Sequence, residues 1–164
     1  MRDPAPVPPP GTPASFDVPG VGHFVYSGFT YELRGDERSR LFVARIDVRG
    51  WEPAQLFAYL QDGYDVPTPN YAEHIRRTVE AVTPNGRAVL HAAKRRLLEL
   101  MEAYGLDAKG DYDALVDELP LQEIKPFPYG GAELSFGTCS KIRSFDVNVR
   151  LDAELQFEDV WFDG

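Results

Sequence analysis

The residues with the greatest chemical capacity lie near the end of the 164-residue chain, in "SFDVNVRLDAELQFEDVWFDG", residues 144–164. Carboxylates at suitable spacing can act as a general acid–base pair, hold a divalent cation, or present a negative docking surface. In "FDVNVRLD" apolar and polar residues alternate. Phe145, Val147, Val149 and Leu151 therefore take one face of a strand, and Asp146, Asn148, Arg150 and Asp152 the other. Six residues along one strand separate Asp146 from Asp152 by roughly 20 Å, too far for a catalytic pair by themselves. Glu154, Glu158 and Asp159 add charge further on, and Trp161 offers an aromatic anchor. The run Val160, Trp161, Phe162 breaks the alternation, which predicts a bulge or a strand covered on both faces. Three readings stay open: a solvated sheet face whose charges block edge pairing, an acidic docking surface for a basic protein, and a carboxylate metal or acid–base site. The docking reading assigns Asp146, Asp152, Glu154, Glu158, Asp159 and Trp161 to partner binding.

Other reactive groups are sparse. Cys139 in "FGTCSK" is the single cysteine, so neither an internal disulfide nor a multi-cysteine zinc site can form. Its surroundings lack the second glycine of a nucleophile elbow, and an incidental thiol in a turn is the expectation. His23, His74 and His91 are widely spaced, and none has a ligand partner three or four residues on. Lys94, Arg95 and Arg96, with Arg76, Arg77 and Arg87, make a basic stretch expected to pair with the chain's own acids or to lie exposed. No phosphate-binding glycine loop, dinucleotide fingerprint, metalloprotease helix or kinase signature occurs. No catalytic residue, cofactor or metal is assigned.

The formal charge is −9 and the pI about 4.8. That balance argues against nucleic acid and anionic membrane as partners, both of which need clustered Lys and Arg. Residues 1–106 hold 13 acids and 12 bases, whereas residues 107–164 hold 13 acids and 5 bases, so the excess belongs to the second part. No apolar run reaches the roughly 18 residues of a membrane span, and "MRDPAPVPPPGTPAS" has no hydrophobic signal region, so a cytoplasmic location is expected.

The elements that must position these residues follow from periodicity and punctuation. Residues 1–20 hold seven of the fourteen prolines and read as an extended or disordered tail; residues 21–164 read as a single domain. "GHFVYSGFTYEL" and "RLFVARIDVR" make a hairpin, with Gly28 marking a bulge or a close backbone approach and Phe42, Ala44, Ile46 and Val48 on one face. "GWEPAQLFAYLQDG" reads as a helix between Pro53 and Gly63. Thr68-Pro69 opens a helix with the stripe Tyr71, Ile75, Val79 and Val82. Thr83-Pro84 reads as the same device opening a longer helix over 84–104, with Leu90, Ala93, Leu97, Met101 and Tyr104 on one face. Asp111 caps a short helix ended by Pro120. "LQEIKPF", "AELSFGT", "FDVNVRL" and "LQFEDVWF" are four strands with short links, hence an antiparallel meander. The fold class is α+β: one antiparallel sheet, built from the N-terminal hairpin and the C-terminal four-stranded meander, with three to four helices on one face.

The meander, "LQEIKPFPYGGAELSFGTCSKIRSFDVNVRLDAELQFEDVWFDG", resembles the C-terminal part of small bacterial α+β domains of unknown function often found in toxin–immunity neighbourhoods. The resemblance covers about 45 residues and carries no site residues. It implies a non-enzymatic binding protein, such as an immunity protein that neutralises a basic toxin through an acidic sheet face. The alternatives are a small hydrolase or metal-dependent enzyme using His74 or His91, and a scaffold domain tethered by the proline-rich tail. Oligomeric state is not legible.

Overall fold

β-Branched and aromatic residues suit a pleated, half-buried surface, and they dominate the first ordered part of the chain. The computed structural model describes residues 2–4, 15–34, 37–49 and 52–164. Their order is β1 (Arg2–Pro4), β2 (Ser15–Val18), β3 (Gly22–Arg34), β4 (Glu37–Ile46), β5 (Ala54–Gln61), α1 (Pro69–Val82), α2 (Arg87–Ala92), α3 (Lys94–Ala103), α4 (Tyr112–Glu118), β6 (Leu121–Pro126), β7 (Ala132–Phe136), β8 (Asp146–Leu151) and β9 (Phe157–Asp163). Among the described residues the strands form one nine-stranded sheet, ordered β1-β3-β4-β5-β6-β7-β8-β9, with β2 also paired to β3. Every pairing is antiparallel except β5 with β6. The α+β class and the mostly antiparallel sheet therefore stand. No helix of the described residues is long and apolar enough to cross a membrane.

The sheet is larger than the sequence reading had it. The segment read as a helix between Pro53 and Gly63 is β5, the central strand. Leu56, Phe57, Ala58, Tyr59 and Leu60 are all buried because both faces of that strand are covered, which erases the alternation that marks a half-exposed strand. Ser15–Val18, inside the stretch read as tail, is β2, and Phe16 and Val18 are buried in the core. The remaining tail residues, 5–14, lie outside the described residues. In β3 the left-handed backbone of Gly28 (φ 84°) coincides with a register shift between Tyr26 and Thr30, the bulge its position suggests.

Thr68 caps α1, its hydroxyl accepting from the Tyr71 N–H at 3.2 Å, and Pro69 occupies the first turn. Tyr71, Ile75, Val79 and Val82 are buried as a stripe. The second Thr-Pro acts in the opposite sense: Thr83 ends α1, its hydroxyl donating back to the Val79 carbonyl at 2.7 Å. Asn85 and Gly86 then form a turn, so the next helix starts only at Arg87 and is interrupted at Ala93. Leu90, Ala93, Leu97 and Met101 are fully buried, whereas Tyr104 is exposed. Asp111 caps α4 through the Asp113 N–H at 3.0 Å.

The helices share the main core with one face of the sheet, through Phe42, Leu56, Ala58, Ile124, Leu134 and Val149 among others. A smaller cluster, Leu41, Phe57, Tyr59 and Phe127, lies on the opposite face and contains no helical residue. The two meanders, β3-β4-β5 and β6-β7-β8-β9, meet at the parallel β5–β6 joint, where only Gln55↔Glu123 and Leu56↔Ile124 are in register. Beyond them the buried Tyr71 hydroxyl bridges the strands: it accepts from the Tyr59 N–H at 3.0 Å and donates to the Pro126 carbonyl at 2.8 Å. Burial pushes the Tyr71 phenol well above its ordinary range; the Tyr59 phenol rises for the same reason, reinforced by Tyr71, Tyr31, Glu133 and Glu123.

Tyr71→Phe leaves a buried N–H and a buried carbonyl without partners, and we expect a loss of about 2–4 kcal/mol in urea unfolding. Both phenols stay protonated in the folded chain, whereas unfolded tyrosines ionise near pH 10. The stability that these two phenols contribute is therefore full below about pH 10 and falls as pH rises beyond it. Tyr71→Phe should flatten that alkaline decline, which unfolding at several pH values would measure.

Candidate functional site

The face without helices carries rows of charged and aromatic side chains. Strand register aligns them in rows. Lys125, Glu133, Arg150 and Asp159 stand side by side across β6, β7, β8 and β9, alternating in sign. The next row holds Glu123, Ser135, Asn148 and Trp161. Lys125 Nζ lies 3.3 Å from Glu123 and 3.5 Å from Glu133, and Arg150 reaches Glu133 at 3.6 Å. The Arg150 guanidinium also lies 5.5 Å from the centroids of both Phe127 and Trp161, within cation–π range. Phe127 stacks on Tyr59 and on Tyr129, and Arg34 covers Tyr129 at 4.4 Å. Ser135 donates to Asn148 Oδ1 at 2.8 Å, while the buried Asn148 Nδ2 has no partner.

Glu123 and Glu133 are thus neutralised by cations of the same face. Two acids at the far end of the last ladder are not. Asp146 and Asp163 face each other across β8 and β9, and among the described residues no cation lies within ion-pair distance of either. Asp159, Trp161 and Asp163 alternate along β9 and point to the same side, away from buried Val160 and Phe162. Beside them Arg150, Glu158, Asp159 and Trp161 line a depression of about 450 Å³. Glu158 is the extra residue of a bulge, since Arg150 pairs with Asp159 and Leu151 with Phe157.

Of the six partner-binding residues of the sequence reading, four lie on this ladder and two in the turn that joins its strands. Glu158, Asp159 and Trp161 line the depression, and Asp146 lies at the far end of β8 beside Asp163. Asp159 is partly engaged by the Val160 N–H at 2.8 Å and by Arg96 at 3.9 Å. Asp152 and Glu154 belong to the β8–β9 turn. Asp152 Oδ1 accepts from the N–H groups of Glu154 and Gln156, each at 2.9 Å, so that carboxylate holds the turn in which Leu155 adopts a left-handed backbone. Sequence reasoning missed Asp163, although it stands two residues beyond Trp161, the same strand spacing that placed Asp146. It also missed the Lys125–Glu133–Arg150 row, whose members come from three strands and share no local pattern.

The remaining reactive groups are dispersed. His74 Nε2 bonds the Gly131 carbonyl at 2.6 Å, His23 pairs with Asp17 at 2.8 Å, and His91 lies 3.6 Å from Asp113. Among the described residues no three His, Cys, Asp or Glu side chains gather as metal ligands would. Cys139 sits in a turn closed by reciprocal backbone bonds with Ile142. Most of the basic stretch is spent on the chain's own acids: Arg76 on Glu73 and Glu80, Arg87 on Asp117, Arg95 on Glu99, and Arg96 on Glu99 and Asp159, whereas Arg77 and Lys94 make no ion pair among the described residues. No protein-family model, no curated protein and no solved structure matches the chain.

Arg150→Met removes both cation–π contacts and the ion pair to Glu133 while keeping an apolar stem. We expect a loss of about 1–2 kcal/mol and a red shift of Trp161 emission, read in a Trp51→Phe background.

Proposed function

We propose that the chain is a protein-binding module whose partner is a basic protein, docked on the helix-free face of the β8–β9 ladder. The observation that carries this reading is the uncompensated pair Asp146↔Asp163 beside half-buried Trp161. Like charges directly opposed across strands are destabilising, so a pair with no cation nearby is a cost to folding that a cationic partner would relieve. Trp161 between Asp159 and Asp163 offers an aromatic surface flanked by carboxylates, a chemistry suited to a Lys or Arg side chain. In its specific form the module is an immunity protein that covers the basic active surface of a toxin. Charge complementarity would then serve the encounter rate and exclude other acidic proteins.

The test separates folding from binding. Asp146→Lys converts the like-charged pair into an opposite-charged one, and we expect it to raise stability by about 0.2–1 kcal/mol in urea unfolding. The same variant should capture less of a basic partner from native-host lysate at low salt. Once that partner is purified, association with the variant should be slower and less salt-dependent than with the parent chain, with dissociation little changed. Capture and association rates insensitive to Asp146→Lys and to salt would remove the acidic-ladder reading.

A further inference from the structure

The chain has 13 arginines and only 4 lysines, yet three of those lysines line a single cavity that no arginine lines. Lys94 opens α3, Lys109 belongs to the α3–α4 loop, and Lys141 belongs to the β7–β8 loop, so the fold brings them together from separate parts of the sequence. The cavity has a volume of about 380 Å³, within the range of small-molecule sites. Its apolar lining includes fully buried Met101 and nearly buried Leu115, with the Tyr112 ring alongside.

The lysines differ in what they already hold. The Lys141 ammonium donates to the Lys109 carbonyl and lies 3.6 Å from the Asp107 carboxylate, which fixes the loop. Gly110 makes room for it: its backbone is left-handed (φ 102°), and an added Cβ would stand 3.0 Å from Lys141 Nζ. An ammonium has three N–H bonds, so Lys141 keeps one for a further acceptor. The Lys94 ammonium lies 5.5 Å from the Tyr112 ring centroid, and Lys109 makes no side-chain ion pair among the described residues. Asp107 is engaged by Lys141 and the Lys109 N–H, and one Asp111 oxygen by the α4 cap; three ammoniums against two carboxylates leave the lining net positive by one charge.

We infer that this cavity binds a small phosphate-bearing molecule with an apolar body. The ammoniums supply compact, rotatable donors that hold a phosphate as point charges, without the fixed planar fork of a guanidinium. The apolar floor takes the rest of the ligand. This site lies on the helical side and does not depend on the docking reading.

Calorimetric titration of the full chain with inorganic phosphate, phenyl phosphate and phenol, at matched ionic strength, tests it. Phenyl phosphate should bind saturably and more tightly than inorganic phosphate, with phenol weaker than the phosphate ester. The exposed pair Lys94→Gln/Lys109→Gln should weaken phenyl phosphate by about tenfold or more while leaving the melting temperature near that of the parent. Arg77→Gln/Arg95→Gln, which removes the same charge outside the cavity, should leave binding unchanged. Absence of saturable binding, equal binding by phenol, retention in the lysine variant, or equal loss in the arginine control would each overturn the assignment.

Discussion

The hydroxyl of Tyr71 is the point on which the two halves of the sheet depend. The β5–β6 ladder contributes only two residue pairs in register, and where it ends the hydroxyl supplies the missing donor and acceptor between Tyr59 and Pro126. A backbone N–H and a carbonyl buried there would otherwise have no water to turn to. The tyrosine comes from the first turn of α1, so the cap at Thr68, the start of the helix and the continuity of the sheet are one structural event. Its consequences reach the opposite face. Tyr59, whose N–H it holds, presents its ring to Tyr31 at 5.8 Å and Phe127 at 6.0 Å, and Phe127 in turn supports the Arg150 guanidinium. The candidate docking surface is thus braced, through three side chains, by a hydrogen bond made on the helical side.

What was legible in the sequence were the elements whose two sides differ. In β8, Val147, Val149 and Leu151 face the core and Arg150 the open side, and in α1 one stripe is buried and the other wet. β5 lacked that contrast. Leu56, Ala58 and Leu60 face the helices while Phe57 and Tyr59 join the second cluster, leaving a continuous apolar run framed by Pro53 and Gly63. Alanine, glutamine and leucine favour a helix locally, and burial on both faces overrode them. The two Thr-Pro pairs show the same limit at smaller scale. Thr68-Pro69 opens α1 and Thr83-Pro84 closes it, and the dipeptide alone carries no direction. The candidate site was legible only along single strands: alternation placed Asp146 and Trp161, whereas the Lys125–Glu133–Arg150 row exists only through pairing.

The surplus of negative charge after residue 106 resolves into two populations. Glu123 and Glu133 are met by Lys125 and Arg150, Asp107 by Lys141, Glu118 by the hydroxyl and N–H of Ser140, and Asp111 and Asp152 by backbone N–H groups. Hydrogen bonds from Ser140 hold the Glu118 carboxyl below its usual range, and the Lys109 N–H with Lys141 does the same for Asp107. These acids serve caps, turns and ladders. Asp146, Glu154, Glu158 and Asp163 have no such service among the described residues, and all four belong to the last two strands or the turn between them. The acids without a hydrogen-bond or ion-pair partner therefore gather at one end of the sheet.

That location also constrains how a partner would engage. β9 ends the strand order, and a terminal strand ordinarily invites another chain to extend the sheet. Here the Val160 N–H is already taken by the Asp159 carboxylate, and the bulge at Glu158 breaks the regular spacing of the edge. Charged residues and a bulge at an edge are the devices by which sheets resist strand addition. The docking proposed for this end would then be led by side chains on the face, where Trp161 lies among carboxylates, and not by backbone pairing along the edge. The same acids that keep the sheet from extending would select a partner by its charge.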